Sequence, residues 1–176
     1  MDRCLARNLA ESRATPRARL ATFTISAILA LAALTQMPAV RAQSEPVQDL
    51  STFPRTTLEI QSAAATHRFK VWIADTQGRQ TQGLMFVRDL PADEGMLFTD
   101  CCSGIWMKNT YISLDIVFVG TDGRIAKIAE RAKPFDLTTI SAEGPVKAVV
   151  ELKGGEAAAQ HLKPGDRVVW HAPGAS

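Results

Sequence analysis

The chain has 176 residues, 46% of them apolar and 22% charged, which suits one globular domain plus processing segments and excludes a disordered or fibrous protein. Its net charge of +2 is uneven: residues 1–42 hold six arginines against Asp2 and Glu11. The remainder holds 14 basic and 16 acidic residues, is net −2, and lacks the basic run expected of a nucleic-acid-binding domain.

The N-terminus reads as a leader. Arginines 3, 7, 13, 17 and 19 precede Leu20–Leu34, LATFTISAILALAAL. That run has the length of a signal-peptide core and falls short of the roughly 20 apolar residues a membrane span needs. Pro38 breaks the run, and Val40-Arg41-Ala42 sets small residues at −3 and −1. The pattern predicts a secretory signal over residues 1–42, cleaved after Ala42, and a periplasmic or secreted protein. An uncleaved N-terminal anchor is the alternative. Cys4 precedes the apolar run, which argues against a lipoprotein, and the absence of an Arg-Arg pair favours the general secretion route. Gln43–Arg55 is polar, contains Pro46 and Pro54, and is expected to be a flexible linker. A single domain is expected over residues 56–172.

Within that domain, Thr57–Gln61 and Arg68–Ala74 predict two paired strands, the second with Phe69, Val71 and Ile73 inward and Trp72 outward. Asp75 or Thr76 can cap a short helix through Gln82, which Gly83 ends. Leu84–Val87 is expected to pack inward, Leu90–Gly95 to turn, and Met96–Phe98 to form a buried strand. Gly104–Val119, GIWMKNTYISLDIVFV, is the most apolar run after the leader. Its Leu114–Val119 part is apolar on both alternating sets, as in a strand covered on both faces. Asp122-Gly123 signals a hairpin to Arg124–Ala129. Lys133–Gly144 reads as a long loop, Val146–Leu152 as a strand, Glu156–Leu162 as a short helix and Arg167–His171 as the last strand. The expected fold is therefore mainly β, a compact antiparallel β-barrel or sandwich with one or two short helices. An α+β domain with an open sheet is the alternative.

A series of motifs, in order, carries a family resemblance. Gly83-Leu84-Met85 is followed by Arg88 and by Glu94-Gly95-Met96-Leu97-Phe98. Then come Trp106-Met107-Lys108-Asn109-Thr110, Leu114-Asp115-Ile116, Glu151-Leu152 with Gly154-Gly155, and Gly165-Asp166. Over residues 68–170 the chain resembles the DUF192 family of small bacterial and archaeal proteins. It departs from that pattern at Ile105, where an aromatic residue is common, and at Ser113, where a proline often stands. The resemblance implies a compact β-rich domain of unknown function and brings no catalytic residue with it.

The candidate site is drawn from charges set in apolar surroundings, which must be paired or face a cleft. Lys108, Asn109, Asp115, Glu151 and Arg88, with Trp106 as an apolar wall, form a candidate cleft for a small anionic or sugar-like ligand. The competing reading is a structural network that satisfies backbone groups and sets strand register. Lys108 is expected to ion-pair with Asp115 or Glu151. Enzymatic use would make Asp115 and Glu151 an acid–base pair of a small hydrolase or carbohydrate-active enzyme. Neighbouring Cys101 and Cys102 could close only a strained ring and are not expected to staple the fold. His67, His161 and His171 are not at ligand spacing, and Met85, Met96 and Met107 read as core filler, so no metal site and no cofactor are expected. The expected function is an exported, non-enzymatic ligand-binding or accessory module of the cell envelope. A purely structural domain is a further alternative. Its partner would be a small molecule or an envelope component, with no nucleic acid and no membrane span after cleavage.

Overall fold

The computed structural model describes residues 47–100 and 104–171. The expected signal peptide, its cleavage site and the Cys101-Cys102 pair lie outside the described residues. The described chain begins with a 3-10 turn, Leu50–Thr52, where Asp49 Oδ1 accepts the Ser51 N–H at 2.9 Å. Phe53 follows and is buried in one apolar cluster with Leu84, Leu90 and Phe98. The Gln82 side-chain amide accepts the Gln48 N–H at 2.6 Å and donates to the Gln48 carbonyl at 2.7 Å. The linker expected over Gln43–Arg55 is thus tied to the domain at Gln48 and Phe53, while Val47 stays exposed. One buried aromatic side chain contributes about 1.5–3 kcal/mol, enough to anchor a short polar segment whose composition suggests none.

β1 (Arg55–Gln61) and β2 (Thr66–Ala74) form the expected antiparallel hairpin, with Leu58 opposite Phe69. Phe69, Val71 and Ile73 are buried, as their alternation predicts. Trp72 is half-buried rather than outward, under the Arg55 guanidinium at 4.5 Å from its ring. In α1 (Gln77–Gln82), Thr76 Oγ1 accepts the Arg79 N–H at 3.4 Å, and Gly83 ends the helix at φ 52°. The helix lies in a crossover, so β3 (Glu94–Thr99) returns parallel to β2. This pair is the parallel exception in a sheet whose other strand pairings are antiparallel, within the mainly antiparallel fold expected. A parallel partner needs a long connection rather than a tight turn, and residues 75–93 supply one. Gly95 of β3 has a steric reason to be glycine: a Cβ there would lie 2.5 Å from the Glu151 carbonyl oxygen.

The remaining elements are β4 (Gly104–Ile105), β5 (Leu114–Gly120), β6 (Ile125–Ala132), β7 (Ile140–Ser141), β8 (Val146–Lys153), α2 (Glu156–Ala159) and β9 (Arg167–Trp170). α2 is shorter than the helix expected through Leu162. Seven strands make one sheet in the order β6-β5-β8-β3-β2-β1-β9, and β4 pairs with β7 in a small ribbon. β5 is buried at every residue, as expected, yet it stands beside the edge strand and β3 holds the centre.

The two faces of the sheet build two cores. Val117 and Val119 join Leu58, Val71, Leu97, Val150 and Val168 on one. Leu114, Ile116 and Phe118 join Met96, Phe98, Ile105, Met107 and Val149 on the other. The sheet curls until its edge strands touch at one end. There Arg124 bridges Arg167, Ile125 N–H donates to the Asp166 carbonyl at 2.9 Å, and Val168 N–H to the Gly123 carbonyl at 2.8 Å. The result is a mainly β domain built on a mixed, rolled sheet, not a closed barrel. No helix among the described residues is long and apolar enough to cross a membrane.

Candidate binding site

The strap between β4 and β5 carries the Trp-Met-Lys-Asn-Thr motif. Ile105 and Met107 are buried, so Trp106 and Lys108 stand on the outer side, both half-buried. Two other loops are stitched to this strap through its backbone. Phe86 N–H donates to the Asn109 carbonyl at 2.8 Å, Phe135 N–H to the Thr110 carbonyl at 3.3 Å, and Met107 N–H to the Asp136 carbonyl at 2.8 Å. Asn109 also donates its side-chain N–H to Met85 Sδ at 3.9 Å, and buried Thr110 donates its hydroxyl to the Lys108 carbonyl at 3.2 Å. Asp136 Oδ1 accepts the Thr138 N–H at 2.8 Å, and that backbone bond holds its carboxyl below the usual carboxylate range.

These loops display three aromatic rings. Tyr111 stands between Phe86, centroid to centroid 6.2 Å, and Phe135, 5.1 Å away and edge-on. All three are exposed, at 42%, 38% and 54% for Phe86, Tyr111 and Phe135, and Leu137 on the same loop as Phe135 is 62% exposed. The Arg88 guanidinium lies 4.6 Å from the Tyr111 ring centroid, and Lys108 Nζ lies 5.2 Å from that of Trp106. Phe86, Asn109 and Phe135 take left-handed backbone conformations, with φ of 66°, 55° and 62°. Asparagine tolerates that region, whereas each phenylalanine there costs about 1–2 kcal/mol.

Six residues were expected at the site, and the structure divides them. Arg88, Trp106, Lys108 and Asn109 lie on the loops of this aromatic face. Asp115 is fully buried in β5. Its Oδ1 accepts the Arg131 N–H at 2.7 Å, both carboxylate oxygens accept the Gly155 N–H at 2.9 Å, and Oδ2 accepts the Ala157 N–H at 2.8 Å. The carboxylate thereby caps α2 from a distance and ties it to β5 and β6, where the helix dipole favours negative charge. Gly155, at φ 93°, lets the chain turn its N–H toward the carboxylate.

Glu151, also buried, sits in β8 opposite Ile116 and Met96, on the face of the second core. Asp115 is opposite Leu152, on the face of the first core. The two carboxylates leave opposite faces of the sheet and cannot converge on one bond as acid and base. The expected Lys108 ion pair is corrected too, since the ion pairs formed among the described residues do not include Lys108. Strand register carries both acids inward, while the strap keeps Lys108 on its outer side.

Sequence reasoning missed Phe86, Tyr111 and Phe135. It placed Leu84–Val87 inward, and Leu84 is buried, but the left-handed turn at Phe86 sends that ring out. A usable signal was Lys133-Pro134-Phe135-Asp136, an aromatic residue in a loop with charged neighbours. Of the methionines, Met96 and Met107 are fully buried filler, as expected, while Met85 is half-buried under Asn109.

Comparison with known proteins gives a consistent picture. A crystal structure of a protein of unknown function from Novosphingobium aromaticivorans DSM 12444 is 39% identical, with a TM-score of 0.67 over 73% of this chain and 94% of the other. A Sinorhizobium meliloti 1021 protein, described as a candidate transcription regulator, is 34% identical, with a TM-score of 0.64 over 67% of this chain and 95% of the other. No curated protein matches the sequence. The family DUF192, described as an uncharacterized ACR, matches residues 58–170, which span the sheet from β1 to β9 and every motif named above. The chain belongs to the DUF192 family.

Proposed function

We propose that this protein is an exported, non-enzymatic binding module of the cell envelope, whose ligand face is formed by Phe86, Tyr111 and Phe135 with Arg88 and Lys108 beside them. The observation that carries this reading is the pair of exposed phenylalanines held at positive φ on either side of Tyr111. Burying a phenylalanine would contribute about 1.5–3 kcal/mol, and its left-handed backbone costs about 1–2 kcal/mol more. A surface that bears both costs is a reason to look for function. Aromatic rings suit the apolar faces of sugar rings, and the two cations suit carboxylate or phosphate groups. The ligand class is therefore an acidic, sugar-like component of the envelope. Export rests on the leader, with its arginine-rich start, apolar core and small residues before Gln43. The hydrolase alternative loses its acid–base pair, because Asp115 and Glu151 face opposite cores.

The test is calorimetric titration with soluble peptidoglycan fragments, with a neutral cello-oligosaccharide as control. We expect saturable binding of the acidic glycan that weakens about tenfold or more in Tyr111→Ala and Phe86→Ala, about 1.4 kcal/mol or more. Those variants should keep their melting temperature. Absence of saturable binding, or binding untouched by both substitutions, overturns the ligand reading. Mass spectrometry of envelope protein should show a mature chain beginning at Gln43, and a full-length cytoplasmic chain overturns export.

A further inference from the structure

A second candidate site lies beside the seam where β6 and β9 touch. An open cleft of about 430 Å³ is lined there by Thr99 and Asp100 from the end of β3, by the β5–β6 turn with Asp122, by Lys147 of β8, and by Arg167 and Trp170 of β9. Its volume falls within the roughly 300–1,000 Å³ of small-molecule sites, and the mouth of a rolled β-sheet is a common place for one. The register explains the assembly. Thr99 pairs with Ala148, so Asp100 and Lys147 leave the ladder together, one residue beyond that pair. The turn is pinned against β9 by the Arg124–Arg167 bridge and by Arg124 Nη1, which donates to the Gly165 carbonyl at 2.8 Å.

The charges of this cleft stand outside the ion pairs formed among the described residues. Arg55, Arg68, Lys70 and Arg79 are taken by Glu94, Glu59, Asp93 and Asp75 at 2.7–3.0 Å. Lys147 and Arg167 form no ion pair among the described residues, and neither do Asp100 and Asp122. Lys147 Nζ lies instead over the Trp170 ring, 5.0 Å from its centroid, and Asp122 Oδ1 accepts the Arg124 N–H at 3.0 Å within its own turn. Two cations and two carboxylates thus border one cleft without neutralising each other. A simple anion would meet two carboxylates, and a simple cation would meet Lys147 and Arg167. A small molecule that carries both charges complements the whole lining.

We propose that this cleft binds a free α-amino acid with an apolar or aromatic side chain. Its carboxylate would sit between Lys147 and Arg167, its ammonium group toward Asp100, and its side chain against the Trp170 indole. The site is separate from the aromatic face and does not depend on that face's ligand.

Calorimetric titration of the full chain tests it, with L-phenylalanine and L-leucine against N-acetyl-L-phenylalanine, which lacks the ammonium, and L-phenylalaninamide, which lacks the carboxylate. The free amino acids should bind saturably at millimolar concentration or below, and each blocked compound about tenfold more weakly or worse. Lys147→Met and Arg167→Met should each weaken binding by a similar factor at an unchanged melting temperature, because both side chains are exposed. Phe86→Ala should leave it intact. No saturable binding of a free amino acid overturns the proposal. So does equal affinity for a blocked compound, or full affinity in both cation variants.

Discussion

In the strap before β5, Lys108 stands on the outer side and the backbone of Asn109 and Thr110 holds two loops that display aromatic rings. Further along the same run, Asp115 is sealed in β5 and spends its carboxylate on the N–H groups of Arg131, Gly155 and Ala157. Both halves carry polar residues in an apolar stretch, and both belong to family motifs. The strand half uses its charge to join three elements. The strap half uses its backbone polar groups to hold two neighbouring loops, which set Phe86, Phe135 and Arg88 around Tyr111. A polar residue in an apolar run is therefore a sign that something must be satisfied, and only its surroundings decide whether that is a backbone or a ligand.

The largest effect should come from the strand half. Asp115→Ala removes the acceptor for three buried or half-buried N–H groups. Each orphaned donor costs about 1–3 kcal/mol, so urea unfolding should show a loss of at least about 3 kcal/mol. A smaller loss would mean that water can replace the carboxylate, and the contrast between the halves would blur. In the strap half, Phe86→Gly relieves the left-handed backbone while removing an exposed ring. Stability should hold or rise by up to about 1 kcal/mol, less than the full strain because glycine also frees the unfolded chain. A drop of more than about 1 kcal/mol would show that the ring is a packing element after all. The smallest effect belongs to Lys108→Met, which keeps the stem and removes a cation that faces Trp106 and forms no ion pair among the described residues. Thermal unfolding should register no more than the roughly 0.5–1 kcal/mol of an exposed cation–π contact. A loss of several kcal/mol would reinstate the ion-paired lysine.

Much of the local structure was legible in the chain. The alternation of Phe69, Val71 and Ile73, the Thr76 cap with its Gly83 stop, and the Asp122-Gly123 turn each depend on neighbours close in sequence. The double apolar alternation of Leu114–Val119 foretold burial on both faces. The placement of the candidate residues was legible only in part. Arg88, Trp106, Lys108 and Asn109 do lie on the loops of one face, but the rings that define that face come from Phe86, Tyr111 and Phe135, which only folding brings together. Phe53 escaped notice because a single anchor carries no periodicity.

Although β7 arose in a segment read as loop, the sequence by itself determined where the longer strands, the Thr76 cap and the Asp122-Gly123 turn fall, which family the domain belongs to, and that its apolar runs would need cover. Those outcomes follow from side-chain period, backbone preference and turn chemistry, all of which act within a few residues. The tertiary structure alone decided that β3 runs parallel to β2, that the sheet rolls until β6 meets β9, and that Asp115 and Glu151 point to opposite cores. Each of these depends on the pairing of strands distant in the chain, where a one-residue change of register moves a side chain from one face to the other.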